Sequence, residues 1–175
     1  MLDPYAALKI SGLTLDMNYA DFGCGDIGHF VFPASEVVGP AGRVYAVDIL
    51  KGAIAGIESR IRLEGVANVL PIWGDIERPG GVNIETGTVH VVSLVNIVGI
   101  IRKSPSVLEE VKRVLRPGGR LLLIGWKEDA AVLGIPESRR ITPVQMRGLV
   151  EAAGFTLLRD FDAGVHHWGL LFRIG

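Results

Sequence analysis

The sequence predicts an α/β protein built on a parallel, doubly wound sheet that ends in an antiparallel hairpin. Three observations carry this. Apolar strand-like runs alternate five times with helical patterns, which implies parallel strands joined by helical crossovers. The last two strand-like runs, FTLLRDFDAG and HHWGLLFRI, are separated by a link too short for a crossover, so the final strand runs against the others. The first strand ends in YADFGCGDIGHF, where Gly23, Gly25 and Gly28 strip side chains from the backbone.

In order along the chain, MNYADF reads as the first strand and GHFVFPASEVV as a helix with Pro33 in its first turns, where a missing N–H costs least. After the turn signal GPAG, RVYAVDI is a second strand rich in Val and Tyr. KGAIAGIESRIRLEG sets Ile54, Ile57, Ile61 and Leu63 at helical spacing and offers Gly65 as its C-cap. NVLPIWGD is a third strand, and VHVVSLVN a fourth, apolar enough to be covered on both faces. SPSVLEEVKRVL is an amphipathic helix opened by Ser and Pro. RPGGRLLLIGW is a tight turn followed by a fifth strand, and TPVQMRGLVEAAG a helix that ends in Gly. The chain reads as one domain over 1–175, with a short N-terminal segment 1–16 and no separate lid.

Composition narrows the class. In 175 residues, 49% are hydrophobic and 21% charged, enough for a sizeable core. The net charge of −1 carries no basic surplus for a nucleic-acid partner. The single cysteine, Cys24, rules out an intramolecular disulfide, and the N-terminal residues lack a signal peptide's pattern, so a cytoplasmic protein is expected. The longest apolar run, 89–101, is shorter than the ~20 residues of a membrane-spanning helix. The four histidines lack metal-ligand spacing, and no metal is expected.

In doubly wound sheets, ligands bind at the carboxyl ends of the strands. Asp21, Asp48 and Asp75 each stand at such an end. The glycines allow a ligand to approach the backbone, and Asp48, 20 residues after Gly28, suits a ribose diol. A dinucleotide would set its pyrophosphate near Asp21, which repels it. S-adenosylmethionine has no phosphate and carries an ammonium and a sulfonium, which Asp21 favours. Asp75 can accept from the adenine amine.

The chain resembles the class I S-adenosylmethionine-dependent methyltransferases, and most of all the small relatives of the ubiquinone/menaquinone-biosynthesis methyltransferases. The resemblance runs from YADFGCGDIGHF through GPAGRVYAVDI and WGDI to EEVKRVLRPGGRLLLI. It implies a Rossmann-like sheet of seven strands in the order 3-2-1-4-5-7-6. It also implies that Asp21, Gly23, Cys24 and Gly25 surround the methionine moiety, Asp48 the ribose, Ile49 an adenine face, and Gly74, Asp75 and Ile76 the adenine edge, with Asn96 bordering both sulfonium and substrate. Three departures stand out. His90 replaces an Asp at the start of the fourth strand, where a structural effect is expected. NIVGII lacks a histidine common near the substrate. The glycine motif of the first strand follows only about 20 residues of chain, short for a closing helical segment, so the site is expected to be open or closed by a second subunit in a homodimer.

Methyl transfer from a sulfonium is an in-line displacement in which positioning does most of the work, and a base is needed only where the acceptor must lose a proton. With the last strand antiparallel beside the fifth, His166, His167 and Trp168 come near Trp126 and Lys127. Alternation sends His166 and His167 to opposite faces, so one of them faces the pocket as a candidate base; otherwise both are ordinary hairpin residues. Trp126 and Trp168 either wall a planar acceptor or cap the core. Trp73 is expected to pack near the adenine. Cys24 reads as small filler, and a lone cysteine does not suit arsenite as acceptor. VNIVG after the fourth strand lacks the Pro-Pro-aromatic motif of N6-adenine and glutamine methylation. Lys112-Arg113 and Arg139-Arg140 read as solvated faces. The expected function is methyl transfer from S-adenosylmethionine to a small molecule. The alternatives are an RNA or protein acceptor, or a non-catalytic S-adenosylmethionine-binding protein; a nicotinamide-dependent oxidoreductase is set against by Asp21.

Overall fold

The structure is a computed structural model and describes residues 2–175. Strands β1 (Asn18–Phe22), β2 (Arg43–Asp48), β3 (Val69–Trp73), β4 (Val89–Val95), β5 (Leu115–Trp126), β6 (Phe155–Gly164) and β7 (His167–Ile174) form one sheet in the order 3-2-1-4-5-7-6. The five strands β1 to β5 run parallel, and β7 is antiparallel to both of its neighbours. Strand order and direction are those expected from the sequence.

Side-chain alternation divides the core. Ala20 and Phe22 of β1, with Val92, Leu94, Leu121 and Leu123, face helices α4 (Gly99–Lys103), α5 (Ser106–Val114) and α6 (Pro143–Ala152). Tyr19, with Val44, Ala46, Val91 and Leu122, faces α1 (Pro4–Ser11), α2 (Val31–Val38) and α3 (Lys51–Glu64). The helices are closed by local chemistry. Thr142 and Gln145 form a capping box on α6, and Gly65 ends α3 in the left-handed conformation.

Four local features differ from expectation. Helix α2 starts at Val31, because the chain is still turning at Gly28. Helix α1 forms within the N-terminal segment 1–16 on a local signature: Asp3 accepts from the Tyr5 and Ala6 N–H groups, Pro4 opens the helix and Gly12 closes it. Leu63, although at helical spacing, points outward at 86% exposure. The Arg116-Pro117-Gly118-Gly119 stretch lies within β5 as a register shift, with Leu115 opposite Val89 and Arg120 opposite Val91. His90 has the structural role expected of it at the amino end of β4. Its Nδ1 accepts the Asn18 N–H at 3.0 Å and its Nε2 lies 3.0 Å from the Arg116 guanidinium.

Candidate active site

The glycine loop after β1 is tied down to β2. The N–H groups of Gly23 and Cys24 both donate to the Val47 carbonyl (2.8 and 3.0 Å), and the Gly25 N–H donates to Asp48 Oδ2 at 3.0 Å. Asp48 Oδ1 also accepts the Leu50 N–H at 2.9 Å. Gly25 has φ +65°, and a side chain added there would enter open space, the room a ligand over this loop requires. At Gly23 a side chain would instead run into the δ-methyl of Ile97, which follows β4.

Asp21 is set back beneath the loop, 4% exposed. Ser93 Oγ donates to its Oδ1 at 2.6 Å and lies 2.5 Å from the Tyr19 hydroxyl. Burial pushes the Asp21 carboxyl up to about 7 against an ordinary 3.8, with the Ser93 hydrogen bond working the other way. Burial also raises the Cys24 thiol, which packs in the core on the α2 side as filler and is unsuited to act as a thiolate.

A cavity of about 310 Å³ opens beside the loop at the ends of β2 and β3. Gly23, Asp48, Ile49, Gly74, Asp75 and Ile76 line it, joined by Leu50, Glu77, Ile97 and Ile100. Asp75 Oδ1 accepts the Glu77 N–H at 2.9 Å and so holds the turn that forms the floor. Trp73 is not in the wall. Its indole N–H donates to the Ile49 carbonyl at 2.8 Å and Lys51 sits over its ring, so it braces the cavity from outside.

Asn96 follows β4. It holds φ +61°, uncommon for a residue with a side chain, and its buried Oδ1 has no hydrogen-bond partner. Strain and an orphaned acceptor at one residue mark a place shaped for something other than the fold. Asn96 borders a second cavity of about 320 Å³, together with Leu2, His29, Trp126, Leu133, Val165, His166 and His167.

Both histidines line this cavity, which corrects the expectation of opposite faces. His166 lies in the turn before β7, outside the strand's alternation, and its carbonyl accepts the Lys127 N–H at 2.9 Å. Its Nδ1 is 3.4 Å from the Asp129 carboxylate. His167 pairs across the sheet with Trp126, ring centroids 4.1 Å apart. Burial, then the neighbouring His166 and Lys127, lower the His167 pKa, so the ring is neutral at pH 7, and its Nε2 has no partner. The two tryptophans do not make a single wall in this cavity. Trp168 faces the opposite side of the sheet, over Gly125, and its indole N–H is taken up by the Trp126 and Ile141 carbonyls, each at 3.1 Å. It borders a separate recess with Lys127 and Pro143. His29 was missed in the sequence; the one available signal was its place in the loop that leaves the end of β1. Among the described residues, no group of three or more His, Cys, Asp or Glu side chains is arranged to hold a metal, and no helix is long and apolar enough to cross a membrane.

A sheet in the order 3-2-1-4-5-7-6 with a glycine loop after β1 and acids at the ends of β1 and β2 defines a Rossmann-like, class I methyltransferase fold. Residues 13–137 match the family model described as a methyltransferase domain, and the chain belongs to that family. Among curated proteins it is 30% identical over 121 residues to a demethylmenaquinone methyltransferase of Lactococcus lactis, covering 67% of this chain and 45% of that one. It is 32% identical over 105 residues to a nocamycin O-methyltransferase of Saccharothrix syringae, covering 60% of this chain and 36% of that one. The chain thus spans less than half the length of either relative. Among solved structures, a SAM-dependent methyltransferase from Aquifex aeolicus superposes with a TM-score of 0.91 at 25% identity, covering 99% of this chain and 90% of that one.

Proposed function

We propose that the protein transfers a methyl group from S-adenosylmethionine to a small molecule held against the Trp126–His167 wall. The observation that carries this is Asn96, which borders the histidine cavity and has a buried, orphaned Oδ1, while the adjoining Ile97 borders the cavity beside the glycine loop. The residues present fit such a cofactor. Gly25 leaves open room, Asp48 borders the cavity with a carboxylate that can accept from hydroxyls, and Ile49 and Ile76 offer an apolar slot for a purine. The Asp21 carboxyl beneath the loop would ionise in the presence of a cationic ligand.

When bound, the cofactor supplies a methyl already activated on a sulfonium. The chain's task is then alignment. Gly25, Asp48, Ile49 and Ile76 would hold the cofactor, and the Trp126–His167 wall would hold the acceptor beside it. If the acceptor atom carries a proton, His167 is the side chain to take it once its buried, unpartnered Nε2 is uncovered. Both curated relatives described above have names that denote small-molecule substrates, which supports a small-molecule acceptor here.

The test is calorimetric titration of the protein with S-adenosylmethionine, S-adenosylhomocysteine and NAD. The proposal expects micromolar binding of the first two and none of NAD. Absence of binding by both adenosyl compounds refutes it.

A further inference from the structure

We propose that the methyl acceptor carries a single anionic group, a carboxylate, held between Lys103 and Arg139 in the cleft that opens on Asn96. This rests on the methyl-transfer reading above and adds the substrate's charge to it.

The cleft has a volume of about 380 Å³. Lys103 comes from the last residue of α4, and Arg139 from a short helical turn, Glu137–Arg139, some thirty-five residues on in sequence. Asn96 and Ile97 line this cleft too, so it shares Asn96 with the histidine cavity and Ile97 with the glycine-loop cavity. Ser138 links it to a larger, polar recess of about 570 Å³ that contains Arg102 and Arg140.

These cations lack anionic partners. The ion pairs among the described residues engage Arg60, Arg78, Lys112, Arg113, Lys127 and Arg147, and none of Arg102, Lys103, Arg139 or Arg140. Arg140 reaches the Glu128 carbonyl through Nη1 at 3.0 Å, yet its buried Nε has no acceptor. Arg139 is exposed, as read from sequence, and lines the cleft, while the half-buried Arg140 lines the larger recess; Lys112 and Arg113 instead pair with Glu109 and Glu110.

The charge balance selects the ligand. Across the cleft and the recess, four cations (Arg102, Lys103, Arg139, Arg140) stand among three carboxylates (Glu77, Glu128, Glu137). A phosphate backbone tracking this rim would meet three carboxylates for four cations. A molecule with one carboxylate and an apolar body placed in the cleft meets one carboxylate there, Glu77, against two cations, Lys103 and Arg139. Its carboxylate takes charge-assisted hydrogen bonds from Lys103 and Arg139, and its body extends past Asn96 toward Trp126.

The experiment uses the protein saturated with S-adenosylhomocysteine and compares naphthoate with its neutral counterpart naphthalenemethanol by calorimetry. Naphthoate should bind roughly tenfold more tightly. The K103Q/R139Q double variant should abolish that preference while leaving the melting temperature and the S-adenosylhomocysteine affinity unchanged, because neither side chain borders the glycine-loop cavity. Equal binding of the two probes overturns the proposal, as does a preference that survives the double variant. So does a uridine oligonucleotide that binds with steep salt dependence and displaces naphthoate, which makes the surface a nucleic-acid contact. Failure of S-adenosylhomocysteine to bind at all refutes the cofactor reading instead, and is scored separately from the probe comparison.

Discussion

Asp48 Oδ2 accepts the backbone N–H of Gly25 at 3.0 Å, so the acid at the end of β2 holds the glycine loop at the end of β1. One carboxylate both shapes the loop and borders the cavity beside it. Asp48→Ala should therefore weaken S-adenosylhomocysteine binding by about 1.5–3 kcal/mol, the range for a hydrogen bond to a charged group. Calorimetry checks this, and unchanged affinity removes Asp48 from the cofactor site.

Asp21 makes stability depend on pH in an unusual direction. Its carboxyl titrates near 7 in the folded chain against an ordinary 3.8. The folded state therefore holds a proton that the unfolded chain has lost across that window. The contribution is complete below about pH 4, falls as pH rises toward 7 and is gone above it, a change on the order of 4 kcal/mol. Asp21→Asn should lack this fall. Urea melts of the two proteins should diverge between pH 4.5 and about 7 and run parallel above it; curves parallel throughout would show that Asp21 is not protonated in the fold.

Asn96 holds backbone strain at a position with an unused buried acceptor. Asn96→Gly relieves the positive φ and should leave stability equal or higher by up to about 1 kcal/mol. Asn96→Ala keeps the strain and should lower stability. Both variants should weaken acceptor-dependent methyl transfer by about tenfold or more if the amide aligns the reacting groups. Thermal melts with transfer assays separate the two effects. A glycine variant of full activity would reduce Asn96 to a turn residue.

Glu110 on α5 is fully buried and accepts the Gly80 and Val82 N–H groups as well as the Arg113 guanidinium at 2.7 Å. Burial works to raise its pKa, but Arg113 and the two N–H groups prevail and hold it below the usual range. Arg113 also donates to the Val82 and Ile84 carbonyls, so the pair anchors the loop between β3 and β4. Glu110→Ala should cost about 3 kcal/mol in urea unfolding, the low end for a broken buried pair, because Arg113 retains 24% exposure. A loss below about 1 kcal/mol would place the pair with ordinary surface salt bridges.

Much of the architecture was legible because its signals are local. Apolar runs bounded by Gly, Pro and Asp mark the strands at any distance from their partners, and a short link forces β6 and β7 antiparallel. The same punctuation marks α1 through Asp3, Pro4 and Gly12. Asp21, Asp48 and Asp75 were legible as strand-end acids, since each directly follows or closes a strand pattern. Their fates differ for reasons beyond the chain's local order. Asp48 and Asp75 line the cavity, while Asp21 lies under the loop, held by a serine 72 residues away.

What the sequence determined by itself is the alternation of strand and helix, the hairpin at the end and the glycine loop at the head, because periodicity and turn chemistry act over a few residues. Only the tertiary structure decided that Asn96 turns left-handed with its Oδ1 unpaired, that His29, His166 and His167 line one cavity, that Trp168 is spent on two carbonyls, and that Lys103 and Arg139 line one cleft. Each of these depends on which strand ends come to lie side by side and on the turns between them. Burial and charge there are properties of the assembled sheet rather than of any one segment.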